Sequence, residues 1–242
     1  MMPVFTFSPS ARVGDIVAAQ PLLAGVFARL GIDYCCGGKI SLAEACAAKR
    51  LDPATVAVLL DAAAHPGASS AHIDAAGMTL TALADRIEST HHACLKRELP
   101  VMVEQAQRVA MKHAWRDERL TAVGATVEAL ATEMADHMRK EAQVLFPLVR
   151  ELERSGGAGS TAVAMAKSIA EMEAEHDAAG RALATLRELT DGFVPDQDAC
   201  NTHRALLAGL ARLEQDLHQH VHKENNVLFP RALVPATAGV PA

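Results

Sequence analysis

The stretches HMRKEAQVLFP at 137–147 and HVHKENNVLFP at 220–230 decide how this chain is read. They share seven of eleven identities at an offset of 83 residues, and His92 and His176 repeat at an offset of 84. A singleton histidine followed by a histidine–glutamate pair, occurring twice, predicts two copies of a helical hairpin related by an approximate two-fold axis. Residues four apart on an α-helix share a face, so His137 with Glu141 and His220 with Glu224 each send two side chains in one direction.

Apolar neighbours set that direction. Val123, Val127, Leu130, Met134, Val144, Leu145 and Leu148 mark an arc that contains His137 and Glu141. Leu206, Leu210, Leu213, Leu217, Val227 and Leu228 do the same for His220 and Glu224, with His218 and His222 projecting outward. Met165, Ile169, Met172 and Leu183 turn His176 inward. In the first segment two arcs disagree: Leu80, Leu83 and Ile87 continue to His91, whereas Leu95, Leu99 and Met102 shift toward His92, with Pro100 as a site for a kink. The repeat offset selects His92 and leaves His91 as a neighbour lining the site or the helix interface.

A lone histidine on an apolar stripe is commonly a hydrogen-bonded core residue, and one histidine–glutamate couple can be a buried pair. Two glutamates at equivalent inward positions need a shared explanation, because glutamate is rarely buried unless it is paired or ligates a metal. Four imidazoles and two carboxylates without thiolate suit two iron ions, each taking two histidines, with Glu141 and Glu224 able to bridge. Manganese or zinc fits less naturally. Ferritin-like sites carry four carboxylates and two histidines. Here the ratio is reversed, which leaves more positive charge on the centre and favours the ferrous state and small anionic or diatomic ligands.

The surrounding chain is consistent with an all-α protein. Half of its 242 residues are hydrophobic but only 3% aromatic, and alanine and leucine dominate. Long helical segments are expected at about 79–113, 117–152, 160–190 and 199–229, with breaks at SGGAG and DGFVPDQD. Short connections between long amphipathic helices predict an up-down-up-down four-helix bundle. Ahead of it, Pro21 opens one short helix that Gly31 closes, Ser41 with Glu44 forms a capping box, and Asp52–Pro53 starts another helix. The expected organisation is a small helical domain at 1–61, a linker at 62–78, the bundle at 79–235 and a flexible tail at 236–242.

Net charge is −6 and the basic residues are scattered, which argues against nucleic-acid or membrane-surface binding. No run of about twenty apolar residues occurs, and MMPVFTFSPSARVGD lacks the pattern of a secretory signal. The expectation is a soluble cytoplasmic protein. Five cysteines, Cys35, Cys36, Cys46, Cys94 and Cys200, do not form a disulfide framework. The adjacent Cys35 and Cys36 precede a glycine turn and a capped helix, where a thiolate can be stabilised, although Cys35 can equally pack as a small hydrophobe. Cys46, Cys94 and Cys200 read as core or incidental residues.

HMRKEAQVLFP, EAEHDAAG and HKENNVLFPRAL resemble the haemerythrin-like domain of the repair-of-iron-centres family of di-iron proteins, and GIDYCCGGKISL resembles that family's short cysteine-bearing domain. The resemblance implies a cytoplasmic protein, often a homodimer, that restores iron–sulfur clusters damaged by nitric oxide or peroxide. Its clients would be damaged iron–sulfur proteins, and nitric oxide or oxygen its small ligands. By position, the family's iron ligands fall on His92, His137, Glu141, His176, His220 and Glu224, and its paired cysteines on Cys35 and Cys36. The implied cofactor is a non-haem di-iron centre, with oxo and carboxylate bridges as an option. A haemerythrin-like protein that binds or sequesters nitric oxide or oxygen is the alternative function.

Overall fold

A computed structural model describes residues 7–64, 75–155 and 161–233. Among these the structure is helical throughout, without strands, and divides into two compact units, one of residues 1–83 with 218–234 and the other of 84–217. The expected SGGAG break, most of the expected linker and the expected tail lie outside the described residues.

The larger unit carries the helical bundle, which includes α8 (Phe146–Ser155). Helices α6 (Ala93–His113), α7 (Arg119–Lys140), α9 (Thr161–Leu189) and most of α10 (Asn201–Lys223) meet in one core. Leu99, Met102, Val127, Leu130, Met134, Leu183, Leu210 and Leu213 are all at most 4% exposed in it. Their three- and four-residue spacing lays one apolar stripe along each helix, and burying those stripes against one another is what the bundle is for. DGFVPDQD ends α9 as predicted: Asp191, Gly192 and Phe193 take positive φ, and the Gly192 N–H returns to the Arg187 carbonyl at 2.7 Å.

The smaller unit contains α1 (Val13–Ala19), α2 (Ala24–Arg29), α3 (Leu42–Ala48), α4 (Pro53–Ala64), the start of α5 (Leu80–Ile87) and the end of the last long helix, including α11 (Phe229–Leu233). Its starts and stops follow the sequence signals. Gly31 adopts φ 65° after α2. Ser41 and Glu44 form the reciprocal capping box of α3, and Asp52 accepts the Thr55 N–H at the start of α4. Phe27, Leu23, Leu42, Cys46 and Leu60 form its core, joined there by Val221.

Three of the long helices are interrupted by a single π-helical turn, at Glu88–His92, Glu141–Leu145 and Glu224–Leu228. A π-turn adds one residue to a turn and re-phases the face that follows, and such turns recur at functional sites. This resolves the two competing arcs of the first helix. Ile87 and His92, five residues apart, are both fully buried, and Leu95 and Leu99 continue from His92. The phase changes at 88–92, ahead of α6, and not at Pro100, which lies inside that helix. A related slip corrects Val144, expected in the apolar arc: it is 50% exposed, while Leu145 and Phe146 are fully buried.

Candidate metal centre

In the bundle unit the π-turns deliver His92 and Glu141, and α7 and α9 deliver His137 and His176. All four are at most 1% exposed. The Glu141 carboxylate lies 3.0 Å from His92 Nε2 and 3.3 Å from His137 Nε2, and the Nε2 atoms of His137 and His176 are 3.2 Å apart. Three imidazoles thus aim the same nitrogen at one place, beside one carboxylate. The His92 ring stacks on Phe146, whose centroid is 5.6 Å away, and this sets its plane.

The tautomer of His137 follows from its outer side. His137 Nδ1 is 2.8 Å from Glu175 Oε2, and that carboxylate also receives the Lys140 ammonium. A ring that donates Nδ1–H to a carboxylate turns the lone pair of Nε2 inward, as a metal ligand requires. Partial burial would raise the Glu175 pKa, but the hydrogen bonds from Lys140 and His137 outweigh it and hold the carboxyl below its usual value. His91 faces away from this cluster and meets Asp216 at 2.8 Å from its Nδ1.

In the other unit His220 and Glu224 stand one helical turn apart, His220 Nε2 3.0 Å from Glu224 Oε1, with both side chains at most 1% exposed. Within the bundle unit the ligand-type atoms of His137, Glu141 and His176 lie within 4.8 Å of one another, and so do those of His92 and Glu141. Buried carboxylates and inward imidazole lone pairs in such density call for a cation, and nitrogen and oxygen donors without sulfur suit a first-row transition metal.

The chain belongs to the hemerythrin HHE cation-binding family. That family's model matches residues 79–232, which contain all six of these side chains, and a second model, the ScdA N-terminal domain of unknown function, matches residues 9–64. The chain is 34% identical over 221 residues to the iron-sulfur cluster repair protein YtfE of Escherichia coli O157:H7, covering 91% of this chain and 96% of that protein. It is 36% identical over 222 residues to the protein of the same name from Enterobacter sp. strain 638, with the same coverage. Membership in the hemerythrin HHE family fits the donor set, and no described helix is long and apolar enough to cross a membrane.

Sequence reasoning misplaced two residues and missed several. His222, expected to face solvent, is 6% exposed. Its Nδ1 lies 3.3 Å from the Tyr34 carbonyl, and burial lowers its pKa to about 4, so the ring is neutral. His218 is only partly exposed and packs edge-on to Tyr34. Glu175, Lys140 and Asp216 were not singled out, because their roles depend on contacts between helices. Asn226 was also missed, although its signal is present: it is one of the four positions at which the two copies of the motif differ.

Cys35 and Cys36 sit in a turn that begins at Asp33. Asp33 Oδ1 accepts the N–H of Cys35 at 2.9 Å and of Cys36 at 3.0 Å, and the Cys35 thiol donates to it at 3.2 Å. The two sulfurs are 4.0 Å apart, and neither is in a disulfide. Cys35 is 5% exposed. Its neighbour Cys36, burial and the Asp33 carboxylate all push that thiol far above its ordinary value. Cys46 is a core residue, as expected, and Cys94 and Cys200 are partly buried.

Proposed function

We propose that His92, His137, Glu141, His176, His220 and Glu224 hold two iron ions, and that the chain restores iron–sulfur clusters damaged by nitric oxide or oxidative stress. The observation that carries the di-iron reading is that each unit buries one copy of the repeated histidine–glutamate pair, His137 with Glu141 and His220 with Glu224, every side chain at most 1% exposed. Two such carboxylates would be able to bridge a pair of ions, with the four histidines divided between them. The repair reading is supported by relatives named as iron-sulfur cluster repair proteins, which match across nine-tenths of the chain.

Bound iron would supply a redox-active centre able to take small diatomic ligands. The protein's own part is to hold and tune it. Two carboxylates offset half the charge of two ferrous ions, so the remaining positive charge favours the reduced state. Glu175, held by Lys140, fixes the His137 ring and raises its basicity. The burial of all six side chains, at most 1% exposed, keeps bulk water away. Damaged iron–sulfur proteins are the proposed clients, and the cytoplasm the proposed compartment.

The test is metal content and repair on anaerobically prepared protein. About two irons per chain are expected, and Glu141→Ala or Glu224→Ala should each remove most of the iron, because a bridging ligand serves both metals. A single iron, or zinc alone, defeats the di-iron reading. In parallel, the protein is mixed with a nitric-oxide-damaged cluster enzyme and recovery of activity is followed. If an unrelated nitric oxide scavenger restores activity equally well, the role is sequestration and not repair.

A further inference from the structure

The cysteine turn is built more carefully than a packing role requires. Asn226 Nδ2 donates to the carbonyls of Cys35 at 2.9 Å and Tyr34 at 3.3 Å, and His222 Nδ1 donates to the Tyr34 carbonyl. The Gly14 N–H bonds the Gly38 carbonyl at 2.8 Å. A Cβ on Gly38 would fall 2.6 Å from both the Asn226 amide oxygen and the Tyr34 carbonyl, so only glycine lets the turn approach. Asp33 Oδ1 gathers both cysteine N–H groups and the Cys35 thiol from the opposite side. The turn is therefore clamped from both sides, with Cys35 95% buried and Asp33 exposed at its mouth.

We propose that Asp33, Cys35 and Cys36 form a second metal site, a two-sulfur, one-oxygen port for a thiophilic divalent cation of the Fe2+, Co2+ and Zn2+ class. Their ligand-type atoms all lie within 4.8 Å of one another. The 4.0 Å between the sulfurs is too long for a disulfide, whose bond is about 2.05 Å. It is close to the edge of a metal tetrahedron, since two bonds of about 2.3 Å at the tetrahedral angle hold sulfurs about 3.8 Å apart. The 3.2 Å from Cys35 Sγ to Asp33 Oδ1 is near the corresponding sulfur–oxygen edge. Two thiolates select against magnesium and calcium, and three protein donors leave a position open for an incoming ligand or for release. The step is a proton exchange: two thiols lose their protons to solvent as two metal–sulfur bonds form, with no change of oxidation state. The site stands on this geometry alone, and its service as an iron port in cluster repair rests on the proposed function.

The experiment uses the full chain with its bundle iron already loaded, reduced and free of oxygen, titrated with Co2+. One further equivalent should bind and give a near-ultraviolet thiolate-to-cobalt absorption band. The band should vanish in Cys35→Ser and in Cys36→Ser. In Asp33→Asn, whose amide oxygen still accepts the two N–H bonds, affinity should fall on the order of 10- to 100-fold with the band retained at saturation. Helix content by circular dichroism and bundle iron are measured on each sample. If the serine variants misfold, the Asp33→Asn affinity decides. Absence of a thiolate band, its persistence in Cys35→Ser, or unchanged affinity in Asp33→Asn overturns the site. Loss of bundle iron with the cobalt band intact counts against the di-iron reading alone.

Discussion

The two copies of the repeated motif perform the same inward task and different outward ones. His137 and Glu141, like His220 and Glu224, are buried at the start of a π-turn. Around them the copies diverge. Met138 lies in the bundle core, whereas its counterpart Val221 lies in the core of the smaller unit. Arg139 is exposed and paired with Asp136, whereas His222 is buried and neutral. Gln143 and Val144 face solvent, whereas Asn226 holds the cysteine turn and Val227 is 4% exposed. The shared histidine and glutamate thus mark the proposed metal ligands, while His222, Asn226 and the buried Val227 mark the face that one copy has given over to the smaller unit.

The largest test of this contrast is at Gly38. Alanine there would place a methyl group against a backbone carbonyl that cannot move without releasing Asn226, so Gly38→Ala should cost about 3 kcal/mol by overpacking. Gly25 is the control, because a Cβ there meets nothing nearer than the Arg29 guanidinium at 3.6 Å, and alanine should be neutral or slightly stabilising. Urea denaturation of metal-saturated protein measures both. Equal effects at the two glycines would mean that the turn is not clamped.

Asn226 and Gln143 stand at equivalent positions and should respond unequally. Asn226→Ala removes donors to two carbonyls in a half-buried site and should cost about 1–3 kcal/mol, whereas Gln143→Ala should stay within about 0.5 kcal/mol. The same urea experiment decides. If Gln143→Ala is as costly as Asn226→Ala, the outward faces of the two copies are not specialised.

Much of this was legible in sequence because it depends on residues close along the chain. The capping box at Ser41 and the glycine stop at Gly31 are local patterns that the structure keeps, and it keeps the inward arcs apart from Val144. His222 was misread because a helical wheel shows only its own helix. With the bundle as the only expected partner, a position off the apolar arc reads as solvent, although here Tyr34 covers it. The π-turns were hidden for a related reason: a 3.6-residue period assumes one unbroken phase, and the one-residue slip at 88–92 registers only as two arcs that disagree. Glu175 lies beside His176 in sequence yet supports His137, a pairing set by helix packing alone.

The smallest expected effect separates local from clamped structure within the smaller unit. Ser41 caps α3 through its own turn: its hydroxyl accepts the Glu44 N–H at 3.2 Å, and Glu44 accepts the Ser41 N–H at 2.8 Å. Ser41→Ala should therefore cost about 1 kcal/mol near neutral pH, less than the substitutions at the cysteine turn. The hydrogen bonds from the Ser41 hydroxyl and N–H hold the Glu44 carboxyl below its ordinary value. A carboxyl whose folded pKa is depressed contributes stability that is fully present above its unfolded value and is lost as pH falls through the folded value. The difference between wild type and Ser41→Ala should accordingly shrink on acidification, while the contribution of the similarly depressed Asp52 is common to both proteins and cancels. Urea midpoints compared at neutral pH and in acid give the result, and a gap that stays constant would show that Glu44 takes no part in the cap.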